Sequence, residues 1–560
     1  MKALKYTSLL LISLIFALSL VSCGNKEDSD GGNENNGGVE FVYKLNEAGE
    51  ASIVRHKVKN SIVVIPEEIE GHKVTSIADS AFFNNTLITD VTIPAGITRI
   101  GKSAFEGCTS LKNINLPKTV ETISEKAFYN CTKLENVIIE SGSALKEIGE
   151  NAFFSCKSLN LTEYGNARYL AVGDSPYTIL ISAVNTSITT ATIHHDTKII
   201  NSNAFSKCAS LKEIEIPKNV DHIGNSAFYG CTKLDTIYFN AVSMRDLTED
   251  SAIFERAATT SLVMTVHVGA DVTRIPAYFM CGASRLRYIR FAENSKCESI
   301  GEAAFKGTPI LEAVFPKFLK TVEDFAFAEC AYLEKITLSS ENLADLSSEN
   351  KVFDNSGATS GGVKLTLGRA AKHVPAYFCI SINRALYEVD FEDNSVTCSF
   401  GENAFLNCNS ILKVDVTSRK SWCESSFKNE YSNPLSYGNA ILYVGGKSVT
   451  EGFALTEKID FISDYAFVGY KNMEKIIIPK TVNYIGTKAF YGVDNLNDIY
   501  WSGTEAEWDM LEIRDGNSVM STGTIYFYRA EELGAPTVSG NFWYLGEGGT
   551  PYVWRNVVTD

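Results

Sequence analysis

The sequence predicts a repeat solenoid, because a short unit of similar sequence recurs along most of the chain. Each unit contains an apolar residue, a short gap, a phenylalanine, in many units a cysteine three residues later, and then a strand-like run. Most steps between the recurrent phenylalanines are 22 to 27 residues, and one step of 52 residues is about twice that. Stacked units of this period bury their apolar residues only against neighbours, so we predict one continuous core. The recurrent phenylalanines are Phe82, Phe105, Phe128, Phe153, Phe205, Phe228, Phe254, Phe279, Phe305, Phe327, Phe353, Phe378, Phe405, Phe467 and Phe490.

Three copies of the unit show its pattern most clearly. They read IGKSAFEGCTSLKNINLPKTV from Ile100, ISEKAFYNCTKLENVII from Ile123 and IGNSAFYGCTKLDTIYF from Ile223. The pattern resembles the BspA-type, or Treponema pallidum-type, leucine-rich repeat from about Ile77 to Tyr500. The resemblance implies a right-handed leucine-rich-repeat superhelix with a parallel β-sheet on one face. It also implies a bacterial surface protein, and some members of this family are described as adhesins.

One unit illustrates how the residues form a turn of the solenoid. Leu111, Ile114 and Leu116 have the LxxIxL spacing that, in a leucine-rich repeat, points all three inward on and around a short strand. Pro117 ends the strand, because proline has no N–H to donate to a ladder. Phe128 then fills the opposite, convex side, and stacked units should align these rings into an aromatic column.

Before the repeats, residues 1–22 have the proportions of a signal peptide. Lys2 and Lys5 precede the apolar stretch Leu9–Leu20, which is too short to span a membrane as a mature helix. The end of this stretch, with Ser22 before Cys23, resembles a bacterial lipobox. The resemblance implies cleavage before Cys23 and attachment of a lipid to its thiol; the alternative is ordinary secretion.

Residues 23–38 form a polar tether after the predicted cleavage site. Lys26, Glu27 and Asp28 resemble the surface-export signal of Bacteroidetes lipoproteins, and the alternative is a tether without a signal. The rest of the tether is rich in Gly, Asn and acidic residues, which favours a flexible spacer. We therefore expect a lipid-anchored protein of the outer membrane, exposed on the cell surface, whose membrane contact is the lipid.

The remaining chain divides into caps and repeats. Residues 39–75 should form a β-rich N-terminal cap, residues 76–500 the repeats, and residues 501–560 an aromatic-rich C-terminal cap. Caps are needed because a terminal repeat would otherwise expose its core. Two hairpin insertions, near 160–190 and 430–450, should project from the stack.

The two insertions share a sequence signature. Residues 164–167 and 437–440 both read Tyr-Gly-Asn-Ala, and both segments interrupt the simple period. Gly445 and Gly446 between apolar residues are a good signal for a two-residue hairpin turn.

Four of the five tryptophans lie in the C-terminal segment. We interpret them as part of the cap; the alternative is a carbohydrate-binding platform that uses Trp508, Trp543 and Trp554.

The formal charge is −16, and the sequence has no basic cluster. A strongly acidic chain argues against nucleic acid as a partner and against adsorption to anionic lipid. We expect a monomer.

The cysteines favour packing over bridging or metal binding. Seven of them occupy one slot, three residues after the repeat phenylalanine, where other units carry Asn, Thr, Tyr or Val. A slot filled by different small or apolar residues indicates buried free thiols, although disulfides between neighbouring turns are geometrically possible. The chain has no CxxC pair, so a zinc cluster is not indicated.

The sequence carries no catalytic motif, and we predict a protein that is not an enzyme and has no cofactor. There is no HExxH, GxSxG or phosphate-loop pattern. His194, His195 and Asp196 could suggest a metal ion. Alignment with other units instead places His194 at a solvated turn where other units have proline, so we predict no metal site.

The outward positions of the predicted concave sheet are the best candidates for ligand binding. Aligning the units gives one row, which has no uniform chemistry: Thr92, Asn115, Ile138, Glu215, Tyr238, Arg290, Thr337, Asp390, Asp415, Ile477 and Tyr500. A candidate ligand-binding cluster in and around this row is rich in Tyr and Arg, which are enriched at interface hot spots; the alternative is a solvated face without function. Its members are Tyr238, Arg287, Tyr288, Arg290 and Tyr387.

Together these features predict a lipid-anchored, non-enzymatic surface protein that binds a protein or glycan ligand through its repeats, in an adhesion-like role. The alternative is a glycan-capture accessory of a polysaccharide-uptake system that uses the C-terminal aromatic residues.

Overall fold

The computed structural model describes residues 41–57, 60–392, 397–449, 453–530, 540–546 and 550–554. Within these residues the chain forms a β-solenoid of mostly parallel strands with little helix, which confirms the predicted fold class. The predicted signal peptide, Cys23, the export signal Lys26–Asp28 and the tether lie outside the described residues.

The strands are short. The first half of the chain contains β1 (Phe41–Leu45), β2 (Ala51–His56), β3 (Ile62–Val64), β4 (Glu68–Ile69), β5 (His72–Ile77), β6 (Asp90–Thr92), β7 (Arg99–Ile100), β8 (Asn113–Leu116), β9 (Thr122–Ile123), β10 (Asn136–Ile139), β11 (Glu147–Ile148), β12 (Thr162–Tyr164), β13 (Ala167–Val172), β14 (Ser175–Ala183), β15 (Ile199–Ile200), β16 (Glu213–Ile216), β17 (His222–Ile223), β18 (Thr236–Phe239), β19 (Met264–Val268), β20 (Arg274–Ile275) and β21 (Leu286–Phe291).

The second half contains β22 (Ser299–Ile300), β23 (Glu312–Phe315), β24 (Thr321–Val322), β25 (Lys335–Leu338), β26 (Val363–Leu367), β27 (His373–Val374), β28 (Leu386–Phe391), β29 (Ser399–Phe400), β30 (Lys413–Val416), β31 (Ser426–Phe427), β32 (Ile441–Val444), β33 (Lys447–Ser448), β34 (Phe453–Ala454), β35 (Lys475–Ile478), β36 (Tyr484–Ile485), β37 (Asp498–Trp501), β38 (Glu512–Ile513), β39 (Thr524–Tyr528), β40 (Phe542–Leu545) and β41 (Pro551–Val553). The helices are α1 (Arg419–Cys423), α2 (Glu505–Trp508) and α3 (Val519–Thr522), with 3₁₀ turns at Glu249–Ser251 and Glu430–Ser432.

Successive turns contribute strands to two hydrogen-bonded ladders. The main ladder has four segments, ordered β10-β8-β6-β3, β16-β18-β19-β21, β23-β25-β26-β28-β30-β32-β33 and β34-β35-β37-β39-β40-β41. The second ladder consists largely of two-residue strands and includes β5-β7-β9-β11, β14-β15-β17, β20-β22-β24, β27-β29-β31 and β36-β38. The main ladder is the parallel sheet that the repeat pattern predicts.

The recurrent phenylalanines stack in columns inside the solenoid. The Phe105 ring lies 4.8 Å from the ring of Phe82 and 5.3 Å from that of Phe128, with the planes nearly parallel. Phe128 and Phe153 are also 5.3 Å apart, and a second column begins at Phe205. Stacked rings in a closely packed interior contribute beyond the area that they bury. The predicted aromatic column is confirmed within runs of turns, such as Phe82 to Phe153, Phe205 to Phe254 and Phe305 to Phe353. It is not continuous, because Phe279 and Phe378 meet the preceding ring edge-on.

The cysteine slot is a packing position, as predicted. All twelve cysteines in the described part of the chain are free, and ten of them are buried. The thiols of Cys108, Cys131 and Cys231 each donate to the backbone carbonyl of the phenylalanine one turn earlier, at 3.0–3.1 Å. Burial raises the pKa of Cys108 and of Cys231 to about 12. These thiols therefore stay protonated and unreactive at neutral pH.

The prediction of one continuous core is wrong, because the first insertion divides it. β13 and β14 form an antiparallel pair whose two faces are both buried. Leu170 and Ile179 pack into the core of the first turns, whereas Tyr169 and Leu180 pack into the core of the later turns. β14 also pairs in parallel with β15, so this insertion is built into the stack and does not project from it.

An open cleft lies at the division of the core, on the side of the solenoid that carries the recurrent phenylalanines. It lies between the turn that carries Phe153 and the turn that follows Asn201, and its volume is about 1000 Å³.

The second insertion is a hairpin, as its glycines predict, but it also belongs to the ladder. Gly445 and Gly446 have φ values of 56° and 77°, which favour glycine at both turn positions. β32 pairs in parallel with β30, and the antiparallel strand β33 is exposed at the ladder edge. The expected projection is therefore limited to β33 and its turn.

Both described ends carry β-structure. At the N-terminal end, β1 and β2 form the predicted antiparallel hairpin, and β2 pairs in parallel with β5. At the C-terminal end, β39 and β40 extend the main ladder in parallel, and β41 closes it in antiparallel orientation.

Candidate binding surface

The register of the main ladder confirms that the predicted row lies on the side of the sheet away from the core. Two of its members, Ile477 and Tyr500, are nevertheless buried, because Trp543 packs against them. Glu215, Tyr238, His267 and Arg290 are direct partners across β16, β18, β19 and β21. The alternate residues of these strands are buried, so the row faces away from the core. The row continues in the next segment through Val314, Thr337, Thr366, Asp390, Asp415 and Tyr443.

Four of the five predicted cluster residues come together on one part of this surface. The Tyr238 ring stacks on the His267 ring at 5.1 Å. The Arg290 guanidinium lies 5.2 Å from the ring centroid of Tyr288, and that of Arg287 lies 4.7 Å from the ring centroid of Tyr332. We call this set of six residues, Tyr238, His267, Arg287, Tyr288, Arg290 and Tyr332, the aromatic–arginine patch.

Tyr387 does not join the patch. It lies on β28, four strands along the ladder from β21, which at about 4.8 Å per strand is a separation of about 19 Å. Arg287 and Tyr387 occupy equivalent positions in β21 and β28. Each follows a leucine that pairs with the neighbouring strand, and each is itself skipped in the pairing, so the register shifts at that residue. Tyr387 packs against Gly362, where a β-carbon would lie 2.4 Å from the ring.

Sequence reasoning missed two members of the patch. His267 belongs to a turn that lacks the LxxIxL spacing, so it was not aligned with the row. The alternation of buried and half-buried residues in β19 is the signal that could have placed it. Tyr332 precedes its strand, and only the fold shows that its ring lies beneath the guanidinium of Arg287.

Beyond the patch, the ladder surface carries a neutralised charge network. The ammonium of Lys364 lies 2.9 Å from Asp390 and 3.2 Å from Glu388, and that of Lys413 lies 3.1 Å from both Glu388 and Asp415. Burial opposes the charge of Lys364, but hydrogen bonds to Asp390 and Glu388 outweigh it and raise its pKa. These side chains are held by one another and are not available to a ligand without breaking the network.

The histidine pair has a different environment from the one predicted. The ring of His194 stacks between Tyr177 at 4.1 Å and His195 at 4.2 Å, and its side chain is only 13% exposed. The prediction of a solvated position is therefore wrong for His194, whereas the neighbouring His195 is 81% exposed. Ligand atoms of His194, His195 and Asp196 lie within 4.8 Å of one another, so the absence of a metal site stays a prediction.

Comparison with known sequences identifies the repeat. The sequence model described as "BspA type Leucine rich repeat region" matches in six copies, over residues 72–169, 184–261, 250–367, 298–434 and 443–508. These matches cover well over half of the chain. The protein belongs to the BspA-type leucine-rich-repeat family. No curated protein sequence matches this chain.

Several solved structures similar to this BspA-type chain are bacterial leucine-rich-repeat proteins. One from Bacteroides ovatus is 20% identical, with 85% of this chain and 98% of that chain covered and a TM-score of 0.30. A leucine-rich cell surface protein from Faecalibacterium prausnitzii is 18% identical, with coverages of 88% and 100% and a TM-score of 0.19. The T. pallidum leucine-rich-repeat protein is 19% identical, with coverages of 54% and 91% and a TM-score of 0.21.

Leucine-rich-repeat solenoids such as this BspA-type chain are typically binding scaffolds, because stacked turns create extended surfaces. In the part of the chain that the structure describes, no helix is long and apolar enough to cross a membrane.

The C-terminal aromatic residues of the BspA-type chain divide into buried and accessible groups. Trp543 is 2% exposed, and its indole N–H donates to the carbonyl of Trp501 at 2.9 Å. Trp508 is also buried and packs edge-on against Trp501. Trp554 is half-buried and lies 4.5 Å from the ring of Tyr544. Of the three tryptophans considered for carbohydrate binding, two therefore lie in the interior.

Proposed function

We propose that this BspA-type protein is a non-enzymatic, lipid-anchored protein of the bacterial cell surface that binds a ligand through its main ladder. The observation that carries the proposal is the aromatic–arginine patch, a cluster of Tyr, His and Arg side chains on the outward face of β18, β19 and β21 and at Tyr332. Tyr and Arg are the residue types that most often dominate binding energy at interfaces. Cys23 would carry the lipid in the outer membrane, and Lys26, Glu27 and Asp28 would direct export to the surface.

The ligand of the proposed function is a protein or a glycan, and the protein would act as a monomer. The negative net charge of −16 supports the exclusion of nucleic acid.

Binding through the patch is testable on protein and glycan arrays. The mature chain carrying Cys23→Ser, which stays soluble, should bind at least one host protein or glycan. Tyr238→Ala combined with Tyr288→Ala should weaken that binding about tenfold or more, the scale of an interface hot spot. The matched control is Tyr491→Ala, because Tyr491 is exposed outside the main ladder. The proposal would be contradicted if the protein bound nothing on the arrays and instead hydrolysed a substrate in a hydrolase screen.

Lipid anchoring is tested separately in cells. Cys23→Ser should abolish incorporation of radiolabelled palmitate and move the protein from the membrane to the soluble fraction. The lipid on Cys23 is the only membrane anchor that the proposal assigns, and a diacylglyceryl group supplies the two acyl chains that stable anchoring needs, so we expect a nearly complete shift. Retention of Cys23→Ser in the membrane fraction, with its signal peptide removed, would show that something other than the lipid holds the protein there.

A second candidate function, glycan capture for a polysaccharide-uptake system, rests on the accessible C-terminal aromatic residues. Tyr544 stacks on Tyr552 at 5.6 Å and lies 4.5 Å from Trp554, and Tyr552 is exposed. A sugar ring could stack on this group without disturbing Trp543, which is buried behind it.

A further inference from the structure

The two arginines of the aromatic–arginine patch are not neutralised. Among the described residues, no carboxylate lies within ion-pair distance of Arg287 or Arg290. Arg287 donates to the carbonyl of Pro309 at 2.9 Å and covers the ring of Tyr332. Arg290 is exposed and contacts the ring of Tyr288. In a chain of net charge −16, these two unpaired arginines of β21 form a local positive site, which we call the arginine end.

The neighbouring carboxylate on the next strand is already engaged. Glu312 follows Leu311, whose N–H donates to the carbonyl of Arg287, so β23 lies beside β21. The Glu312 carboxylate is 3.0 Å from the ammonium of Lys335 and accepts a hydrogen bond from Thr337. Beyond it, the charges of the ladder pair with one another. The arginine end is therefore open to an external carboxylate.

The opposite end of the same ladder segment carries unpaired negative charge. Glu213 and Glu215 lie on β16, and both are exposed. Glu215 accepts a hydrogen bond from Asn240 at 2.8 Å, and no cation of the described chain lies within ion-pair distance of either carboxylate. We call this pair the acidic end. The stacked rings of Tyr238 and His267 lie between the acidic end and the arginine end.

The separation of the two ends sets the dimensions of a ligand. β16 and β21 are three strand steps apart, which is about 14 Å at about 4.8 Å per step. An extended peptide rises about 3.3 Å per residue, so about four residues span this distance. The surface thus presents negative charge, aromatic rings and positive charge in a row that crosses the strands.

We propose that this surface binds an extended segment of a protein partner that carries an acidic and a basic residue about four positions apart. The carboxylate would be held by the arginine end, whose forked guanidinium groups suit bidentate hydrogen bonding. The basic side chain would be held by the acidic end, and an apolar or aromatic residue between them would cover Tyr238 and His267. This inference rests on the proposed function and specifies the partner of the same site.

The charge distribution favours a dipolar peptide over a polyanion. A sulfated or uronate polysaccharide long enough to contact the arginine end and the tyrosines would also place negative groups over Glu213 and Glu215. Like charges opposed across an interface cost affinity, and the net charge of −16 repels a polyanion at longer range. A peptide with one charge of each sign avoids both penalties.

The test uses synthetic ten-residue peptides as probes. Each contains one Glu and one Lys with a Tyr between them, in both orders and at separations of two to seven positions. Binding to the soluble mature chain with Cys23→Ser is measured by surface plasmon resonance at 0.05 M and 0.15 M NaCl. We expect affinity to peak near a separation of four and to fall at the higher salt concentration.

Matched variants separate the two ends. Arg287→Gln combined with Arg290→Gln should weaken the best peptide about tenfold or more, whereas Arg256→Gln, outside the main ladder, should not change it. Glu213→Lys combined with Glu215→Lys should reverse the preference, so that peptides with two Glu residues bind better than those with Glu and Lys. Circular dichroism checks that each variant is folded.

Three results would overturn the inference. Heparin or polygalacturonate binding more tightly than any peptide, and losing affinity in the arginine variant, would assign the patch to a polyanion. Peptide affinity that is independent of spacing, or unchanged in the arginine variant, would mean that the two ends do not act together. If array ligands bind but every peptide fails, the proposed function stands and the dipolar peptide is wrong; if nothing binds, the proposed function itself fails.

Discussion

Replacing Phe128 with alanine should destabilise the protein by about 3–5 kcal/mol, the range for truncating a buried phenylalanine. Phe128 is fully buried, and its ring stacks on those of Phe105 and Phe153 at 5.3 Å on each side. The substitution therefore removes contacts with both neighbouring turns at once, and a solenoid depends on such contacts between neighbours. The measurement is urea unfolding of the soluble mature chain, followed by circular dichroism.

The matched control is the substitution Phe154→Ala. Phe154 belongs to the next turn, is 56% exposed and contacts the ring of Tyr129. Its removal should change the free energy of unfolding by less than about 1 kcal/mol. If the two variants lost similar stability, the stacked column would not be what holds these turns together.

The division of the core predicts which part of the chain loses stability in Phe128→Ala. Because β13 and β14 separate the core of the first turns from that of the later turns, the two segments should unfold with different stabilities. Hydrogen exchange in Phe128→Ala should accelerate at amides up to about Ile199 more than at amides from Phe205 onward.

The repeating parts of the fold were predictable because each residue of the unit has one role in every turn. The period stacks the phenylalanines in columns and aligns the outward residues in one row. It also places slot cysteines such as Cys108, Cys131 and Cys231 next to the phenylalanine carbonyl of the preceding turn. The stacked rings of Phe105 and Phe128 and the row from Glu215 to Arg290 follow directly from the alignment of the units.

The division of the core by β13 and β14 was not predicted, although the sequence contains a signal for it. A projecting hairpin would alternate apolar and polar residues. β13 instead places Tyr169 and Leu170 on opposite faces, and β14 does the same with Ile179 and Leu180. The sequence of β13 and β14 shows that both faces of the hairpin are apolar. Only the tertiary structure shows that one face packs against the core of the first turns and the other against the core of the later turns.

The candidate site was predicted in part for a similar reason. The row was readable where units keep the LxxIxL spacing, so Tyr238 and Arg290 were placed correctly. Tyr387 was grouped with them from composition, and the number of turns between β21 and β28 separates it from the patch. Lys364 and Lys413 are paired around Glu388, whereas Arg287 and Arg290 have no carboxylate partner among the described residues. That difference depends on distances across strands, which a single sequence does not give.

Trp543→Ala should destabilise the C-terminal end of the solenoid by about 3–5 kcal/mol. The indole is buried against the rings of Tyr500 and Tyr528, at 5.6 Å and 5.2 Å, and it donates a hydrogen bond to the carbonyl of Trp501. Its loss leaves a cavity and an unsatisfied buried carbonyl in the last part of the main ladder. Limited proteolysis and hydrogen exchange should detect opening of β37, β39 and β40, because the indole on β40 packs against Tyr500 of β37 and Tyr528 of β39.

The same variant, paired with Tyr552→Ala, distinguishes a cap from a carbohydrate-binding platform. Tyr552 is 48% exposed and stacks on Tyr544, so its removal should leave the fold intact. Affinity electrophoresis in gels containing soluble starch, xylan or pectin then measures sugar binding. Retardation of the parent chain that is lost in Tyr552→Ala would support glycan capture by the accessible rings. Loss of sugar binding in a Trp543→Ala protein that remains fully folded would contradict the assignment of Trp543 to the interior, since a buried ring can affect a ligand only through the structure that it supports.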